Sequence, residues 1–257
     1  PQRSLDLMRA FILALQLWAR LPVPLLGPLP QPRELGFSVL FFPVVGAVIG
    51  ALLAGLHTAL WLTDPGVLAG LVLTVWVILT GGLHLDGLAD SADAWVGGQG
   101  DHDRTLAIMK DPRSGPIAIA VIGLVLLNKF AALQVLLAGA GRTVLLLAPV
   151  LGRAVMVLLL VTTPYVRSEG LGEPYALHVP RASCGLMVLA SAVTAVMALG
   201  WQGGVLLVLL GVGFFGLRRG VLARLGGVTG DILGAACELT ETGVLLVSVL
   251  VTDLEMP

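Results

Sequence analysis

Ala182–Leu217 reads ASCGLMVLASAVTAVMALGWQGGVLLVLLGVGFFGL, 36 residues without a charged side chain. One membrane crossing takes about 20 mostly apolar residues. The stretch is therefore too long for one span, and Gln202-Gly203-Gly204 is predicted to break it into two. Working outward, Gly36–Leu62 contains His57 as its only titratable group, and Gly66–Leu85 follows a Thr63-Asp64-Pro65 turn. Pro116–Ala140, Thr143–Thr163 and Gly230–Val251 complete a set of seven. Of 257 residues, 57% are hydrophobic and 12% charged, where an ordinary soluble domain carries about 25% charge. A water-soluble fold of this size could not shield so much apolar surface. The fold class expected is all-α, a polytopic helical bundle forming one integral membrane domain over residues 1–257.

The balance of 15 Lys and Arg against 16 Asp and Glu leaves no basic field for nucleic acid. Cys184 and Cys237 stand apart in apolar runs, which supports neither a disulfide framework nor a cysteine zinc site. With the N-terminus inside, twelve of the basic residues fall in inner segments and only Arg142 in an outer one, while Lys129 and Arg153 lie within spans. This asymmetry predicts an N-in orientation. Before the first span, Gln2, Asp6, Arg9, Gln16 and Arg20 recur opposite Leu5, Met8, Ile12, Leu15 and Trp18. That pattern predicts an interfacial amphipathic helix over residues 1–21, with the bundle over residues 36–251.

The chemistry concentrates in His84-Leu85-Asp86-Gly87-Leu88-Ala89-Asp90-Ser91-Ala92-Asp93. On a helix Asp86, Asp90 and Asp93 share one face at i, i+4 and i+7. Like charges so placed repel. A magnesium ion would resolve the conflict, taking hard carboxylate oxygens while keeping positions for phosphate oxygens. Gly87 would let a phosphate approach the helix backbone. The opposing reading is a solvated acidic loop, and His84 by itself suits a structural hydrogen bond as well as proton transfer. In Ile108–Pro116, Lys110 and Arg113 are candidate phosphate ligands, although alone they are also a plain inner-face charge signal.

Lys129 and Arg153 sit deep in apolar segments, where a cation needs a partner. They either counter substrate phosphates or pair with acids for assembly. Asp231, Glu238 and Glu241 share one arc of the last span, to be neutralised by metal or by those cations. Asp231 and Glu238 stand about 10 Å apart along the axis, too far to share one ion unaided.

Taken together, His84–Asp90 with Asp93, Ile108-Met109-Lys110-Asp111 with Arg113 and Gly115, Arg167 to Gly172, and Thr229-Gly230-Asp231 with Gly234 and Glu238 resemble the cobalamin synthase (adenosylcobinamide-GDP ribazoletransferase) family. The similar blocks occur in the family's order and reach from Arg20–Pro24 to Glu241. The resemblance implies a multi-pass enzyme of the bacterial inner membrane with a cytoplasmic active site and magnesium as cofactor. The hydroxyl of α-ribazole, or of its 5′-phosphate, would attack adenosylcobinamide-GDP and expel GMP, giving adenosylcobalamin or its phosphate. By the same resemblance, Asp86, Asp90 and Asp93 would hold magnesium, with Asp231 and Glu238 as a second acidic wall. Lys129, Arg153 and Arg113 would offset phosphate charge, and Glu169 would order a loop. Asp93, then His84, are the candidate general bases. A homo-oligomer or a complex with other enzymes of the pathway is left open. Pro112, Pro116 and Ala94 depart from the family's usual residues and should stiffen the Asp111–Pro116 turn. The rivals are a CDP-alcohol phosphotransferase-like or prenyltransferase-like enzyme, whose usual acid spacings fit less well, and a transporter, for which no inverted repeat is visible.

Overall fold

A computed structural model describes residues 2–23, 29–139, 141–167, 170 and 172–253. The helices are α1 (Gln2–Trp18), α2 (Pro32–Ser38), α3 (Phe42–Ala59), α4 (Pro65–Thr80), α5 (Leu83–Gly97) and α6 (His102–Ile108). They continue as α7 (Pro116–Leu137), α8 (Arg142–Thr162), α9 (Glu173–Leu177), α10 (Arg181–Leu199), α11 (Trp201–Leu225) and α12 (Gly230–Asp253). Among the described residues, extended pairing is limited to one parallel bridge, Tyr165 with Val228. Six helices are long and apolar enough to cross a membrane when α2 and α3 count as one, and the bent pair α4–α5 can make a seventh. The all-α membrane bundle expected from hydropathy is the fold observed.

The second predicted span, Gly66–Leu85, needs correcting. Asp64 starts α4 by accepting the N–H groups of Gly66 and Val67, and Pro65 fills the first helical position, where its missing N–H costs nothing. The helix stops at Thr80 because Gly81 and Gly82 both take positive φ, +64° and +70°, a conformation open to glycine at little cost. Beyond this break α5 departs at 86° to α4. At 16 residues α4 reaches about 24 Å, short of the about 30 Å hydrocarbon core. The acidic cluster therefore rides on its own helix rather than on the end of a span. The break between α10 and α11 falls at Gly200 (φ +59°), two residues before the expected Gln202.

Helices α8 and α12 are mostly buried, while α10 and α11 present most of their surface outward. Gly46 and Gly50, one turn apart on α3, let that helix press on the α8 backbone; a side-chain carbon at Gly50 would lie 2.8 Å from the Leu145 carbonyl oxygen. Close approach through paired small residues is how membrane helices gain dispersion contact when lipid offers no hydrophobic contrast. Helix α1 does more than float in the interface. Ala10, Ala14, Leu15 and Trp18 are buried, and Arg9 pairs with Glu34 of α2 at 3.3 Å.

Candidate active site

Helices α5 and α12 cross almost backbone to backbone. A side-chain carbon added at Gly87 would lie 2.7 Å from the Asp231 carbonyl oxygen, and one at Gly234 would lie 3.2 Å from the His84 Cα. Each helix thus offers a glycine to the other. Gly87, expected to admit phosphate, lines the cavity at the crossing, but its missing side chain makes room for α12. The crossing sets Asp86 and Asp90 of α5 against Asp231 at the start of α12, and these carboxylates repel one another. Thr229 begins α12 by accepting the Ile232 N–H at 3.3 Å.

Arg167 supplies the counter-charge. Its Nη1 donates to Asp231 Oδ2 at 2.9 Å, with both side chains partly exposed. The loop carrying it is fastened to the strand-like residues before α12: Val166 N–H donates to Val228 O, and Val228 N–H to Pro164 O. Beside this pair opens a cavity of about 570 Å³. It is lined by the charged residues Asp86, Asp231, Arg167 and Lys110 and by Trp18, Phe42, Tyr175 and His84. Burial pushes the Tyr175 phenol up in pKa, so it stays a neutral hydroxyl. The volume falls within the usual range for small-molecule sites, about 300–1,000 Å³.

Several expected site residues are occupied elsewhere. Asp93 turns away from the crossing and caps α7, Oδ2 accepting the Gly115 N–H at 2.5 Å and Oδ1 the Ala118 N–H at 2.9 Å. Both oxygens are engaged by a helix N-terminus, where a carboxylate is stabilised, and Asp93 is not among the residues lining the cavity described above. Glu238 is not part of an acidic wall. Lys129 Nζ donates to Glu238 Oε2 at 2.6 Å and to Glu241 Oε2 at 2.7 Å, and Arg153 Nη1 donates to Glu241 Oε1. All four side chains are at most 4% exposed. Two cations and two anions balance there, as buried charge requires, so Lys129 and Arg153 serve assembly and stand outside the cavity. Arg113 is an exposed surface residue that grips Asp111 through Nε at 2.9 Å and Nη2 at 2.7 Å. That guanidinium holds the Asp111 carboxyl down at about 2. Glu169 lies outside the described residues.

His84 lines the cavity, is 1% exposed, and packs its ring 5.0 Å from that of Trp18. Both ring nitrogens are buried without a hydrogen-bond partner. Among the described residues no three His, Cys, Asp or Glu side chains are arranged as a ready-made metal cage. The donor set still fits magnesium, which commonly takes one or two carboxylates and completes its shell with substrate phosphates and water. Repelling carboxylates at a cavity rim offer that arrangement.

A family model described as cobalamin-5-phosphate synthase matches residues 10–249. The chain belongs to this family. Curated relatives named adenosylcobinamide-GDP ribazoletransferase agree with the match. The protein of Pseudomonas syringae pv. syringae is 54% identical over 239 residues, covering 93% of this chain and 98% of its own. That of Pseudomonas fluorescens (strain SBW25) is 52% identical with the same coverage. The Stutzerimonas stutzeri protein is 51% identical over 93% of this chain and 97% of its own. No solved structure matches the chain. In this member of the family two residues that line the cavity, Arg167 and Trp18, are not among the site residues chosen from the sequence. Arg167 stood in the sequence only as the first residue of a family-like block, because only the Tyr165–Val228 bridge shows which acid it meets. Trp18 looked like a membrane anchor, because its apolar-face position is the same for either job.

Proposed function

We propose that this chain is an adenosylcobinamide-GDP ribazoletransferase, joining α-ribazole or its 5′-phosphate to adenosylcobinamide-GDP with release of GMP. The observation carrying the reading is the α5–α12 crossing, which sets Asp86 and Asp231 in a cavity that also holds Arg167 and Lys110, with Asp90 one turn along α5 from Asp86. The donor's diphosphate would lie there. The acceptor hydroxyl attacks the corrinoid-side phosphorus, the bridging P–O bond breaks, and GMP leaves with the electron pair. Magnesium, when bound, supplies Lewis-acid neutralisation of the phosphate oxygens, with Asp86, Asp90 and Asp231 as the residues to hold it. Arg167 offers a planar fork to phosphate and Lys110 a compact charge. In phosphoryl transfer, positioning and charge stabilisation carry most of the catalysis, and this chain provides both in one place.

The site faces the cytoplasm in this reading, on a bacterial inner membrane. Support comes from the basic residues: Lys110 and Arg167 at the cavity belong to the segments that the positive-inside rule places within. Release of GMP, assayed against CMP and pyrophosphate, separates this activity from CDP-alcohol and prenyl transfer. Loss of GMP release with a chelator and its return with magnesium is expected. GMP release that continues in chelator would refute the magnesium assignment, and release of CMP or pyrophosphate instead would refute the reaction.

A further inference from the structure

The cavity lining is of two chemical kinds, and the charged side chains account for only one. In the other, aromatic rings adjoin in series. Phe42 lies 6.4 Å from Tyr175 and 5.2 Å edge-on from Trp18, and Trp18 lies 5.0 Å from the His84 ring. Leu17, Leu160 and Leu233 complete its apolar lining. Trp18 Nε1 and both His84 ring nitrogens are buried without partners, and such atoms cost free energy unless something bonds them.

Trp18 is held there deliberately. The chain just past α1 is tied to the end of α4, Arg20 N–H donating to Leu79 O at 2.7 Å, and the Arg20 side chain lies against Gly81. Helix α1 is thereby fixed to the turn that launches the acidic helix. A membrane anchor alone would not need to place an indole in the cavity.

We infer that this aromatic end seats the base of the nucleoside acceptor, with Trp18, Phe42 and Tyr175 as stacking and edge contacts and His84 as the polar neighbour. The inference rests on the ribazole-transfer reading and adds to it which residues choose the base. A flat, mostly apolar heteroaromatic ring with one ring-nitrogen acceptor matches walls of this kind. Guanine matches poorly, because its several polar edge atoms would face leucines with few partners. The corrin macrocycle, bordered by amides, is too large and too polar for the same space. With the base at the aromatic end, the ribose hydroxyl points back toward Asp86 and Asp231, where the diphosphate would lie.

The test uses the full-length protein in liposomes with α-ribazole as the probe. Trp18→Ala should raise the KM for α-ribazole about tenfold or more, the scale of one lost base–aromatic stack, and leave the KM for adenosylcobinamide-GDP unchanged. Trp18→Phe should restore most of the acceptor affinity. Wild-type tryptophan fluorescence should be quenched by α-ribazole alone and not by GMP, and the quench should disappear in Trp18→Phe, which loses the reporter while keeping the stack. Should Trp18→Ala fail to fold, Tyr175→Leu on the short helix α9 tests the same wall, with a smaller rise in acceptor KM. An equal rise in donor KM, an unchanged acceptor KM, or displacement of α-ribazole by GMP would overturn the assignment. Absence of GMP release in the wild type would instead defeat the reaction itself, while the quench still reports on the aromatic seat.

Discussion

Two groups of acids on α12 and its neighbours look alike in sequence and do different work. Asp231 faces Asp86 and Asp90 across the crossing, lines a cavity together with Asp86, and is bonded by Arg167. Glu238 and Glu241, two to three turns deeper, are sealed with Lys129 and Arg153 in a balanced cluster. The difference lies in who neutralises the charge. In the interior the protein does so itself, because an unpaired ion among apolar helices is costly. At the cavity Arg167 offsets only part of the carboxylate charge of Asp86, Asp90 and Asp231, and the excess suits a cation that could in turn hold a diphosphate.

The contrast is broken most sharply by removing rim charge. Asp86→Asn or Asp231→Asn should lower GMP release by roughly 10²–10³, the scale of a lost transition-state electrostatic contact, with the protein still inserted and folded. Wild-type turnover in either variant would dissolve the distinction. Next in size, Glu241→Gln should destabilise the bundle by about 3–5 kcal/mol, because Arg153 and Lys129 would stay buried with reduced compensation. Thermal unfolding in detergent measures it, and molecules that remain folded should keep their activity. A loss of turnover in Glu241→Gln without loss of stability would place the interior cluster in the reaction.

Asp93→Ala removes the cap on α7 and should cost about 1 kcal/mol, with a moderate fall in activity through the loosened Lys110 segment. A fall as deep as that of Asp86→Asn would move Asp93 to the rim. Smallest of all, Arg113→Ala breaks an exposed pair with Asp111 and should change stability by less than about 0.5 kcal/mol, with GMP release near wild type. A large rise in donor KM would instead show Arg113 folding over the substrate.

The span pattern was legible because hydropathy is a local property, and six of the seven predicted stretches reappear as long apolar helices, the second being cut at Gly81-Gly82. What hydropathy could not see was the Gly81-Gly82 break, since two glycines change the backbone path without changing apolarity. Asp86 and Asp90 were legible as a repeating spacing, and Asp231 as one of three acids sharing an arc of the last span. Asp93 shares that spacing, but its role turns on where the α7 N-terminus lies, a long-range fact. For the same reason the pairing of Lys129 and Arg153 with Glu238 and Glu241 stood as one of two readings; only the packing of α7 and α8 against α12 chooses between them. Trp18 and Arg167 reach the cavity through contacts with segments far along the chain.

Manganese(II), standing in for magnesium and followed by its paramagnetic resonance with adenosylcobinamide-GDP present, tests the central claim most directly. Binding is expected in the wild type and in Asp93→Asn, and should be lost in both Asp86→Asn and Asp231→Asn. Binding that survives in those two rim variants, or that vanishes equally in Asp93→Asn, would contradict a cation held between α5 and α12.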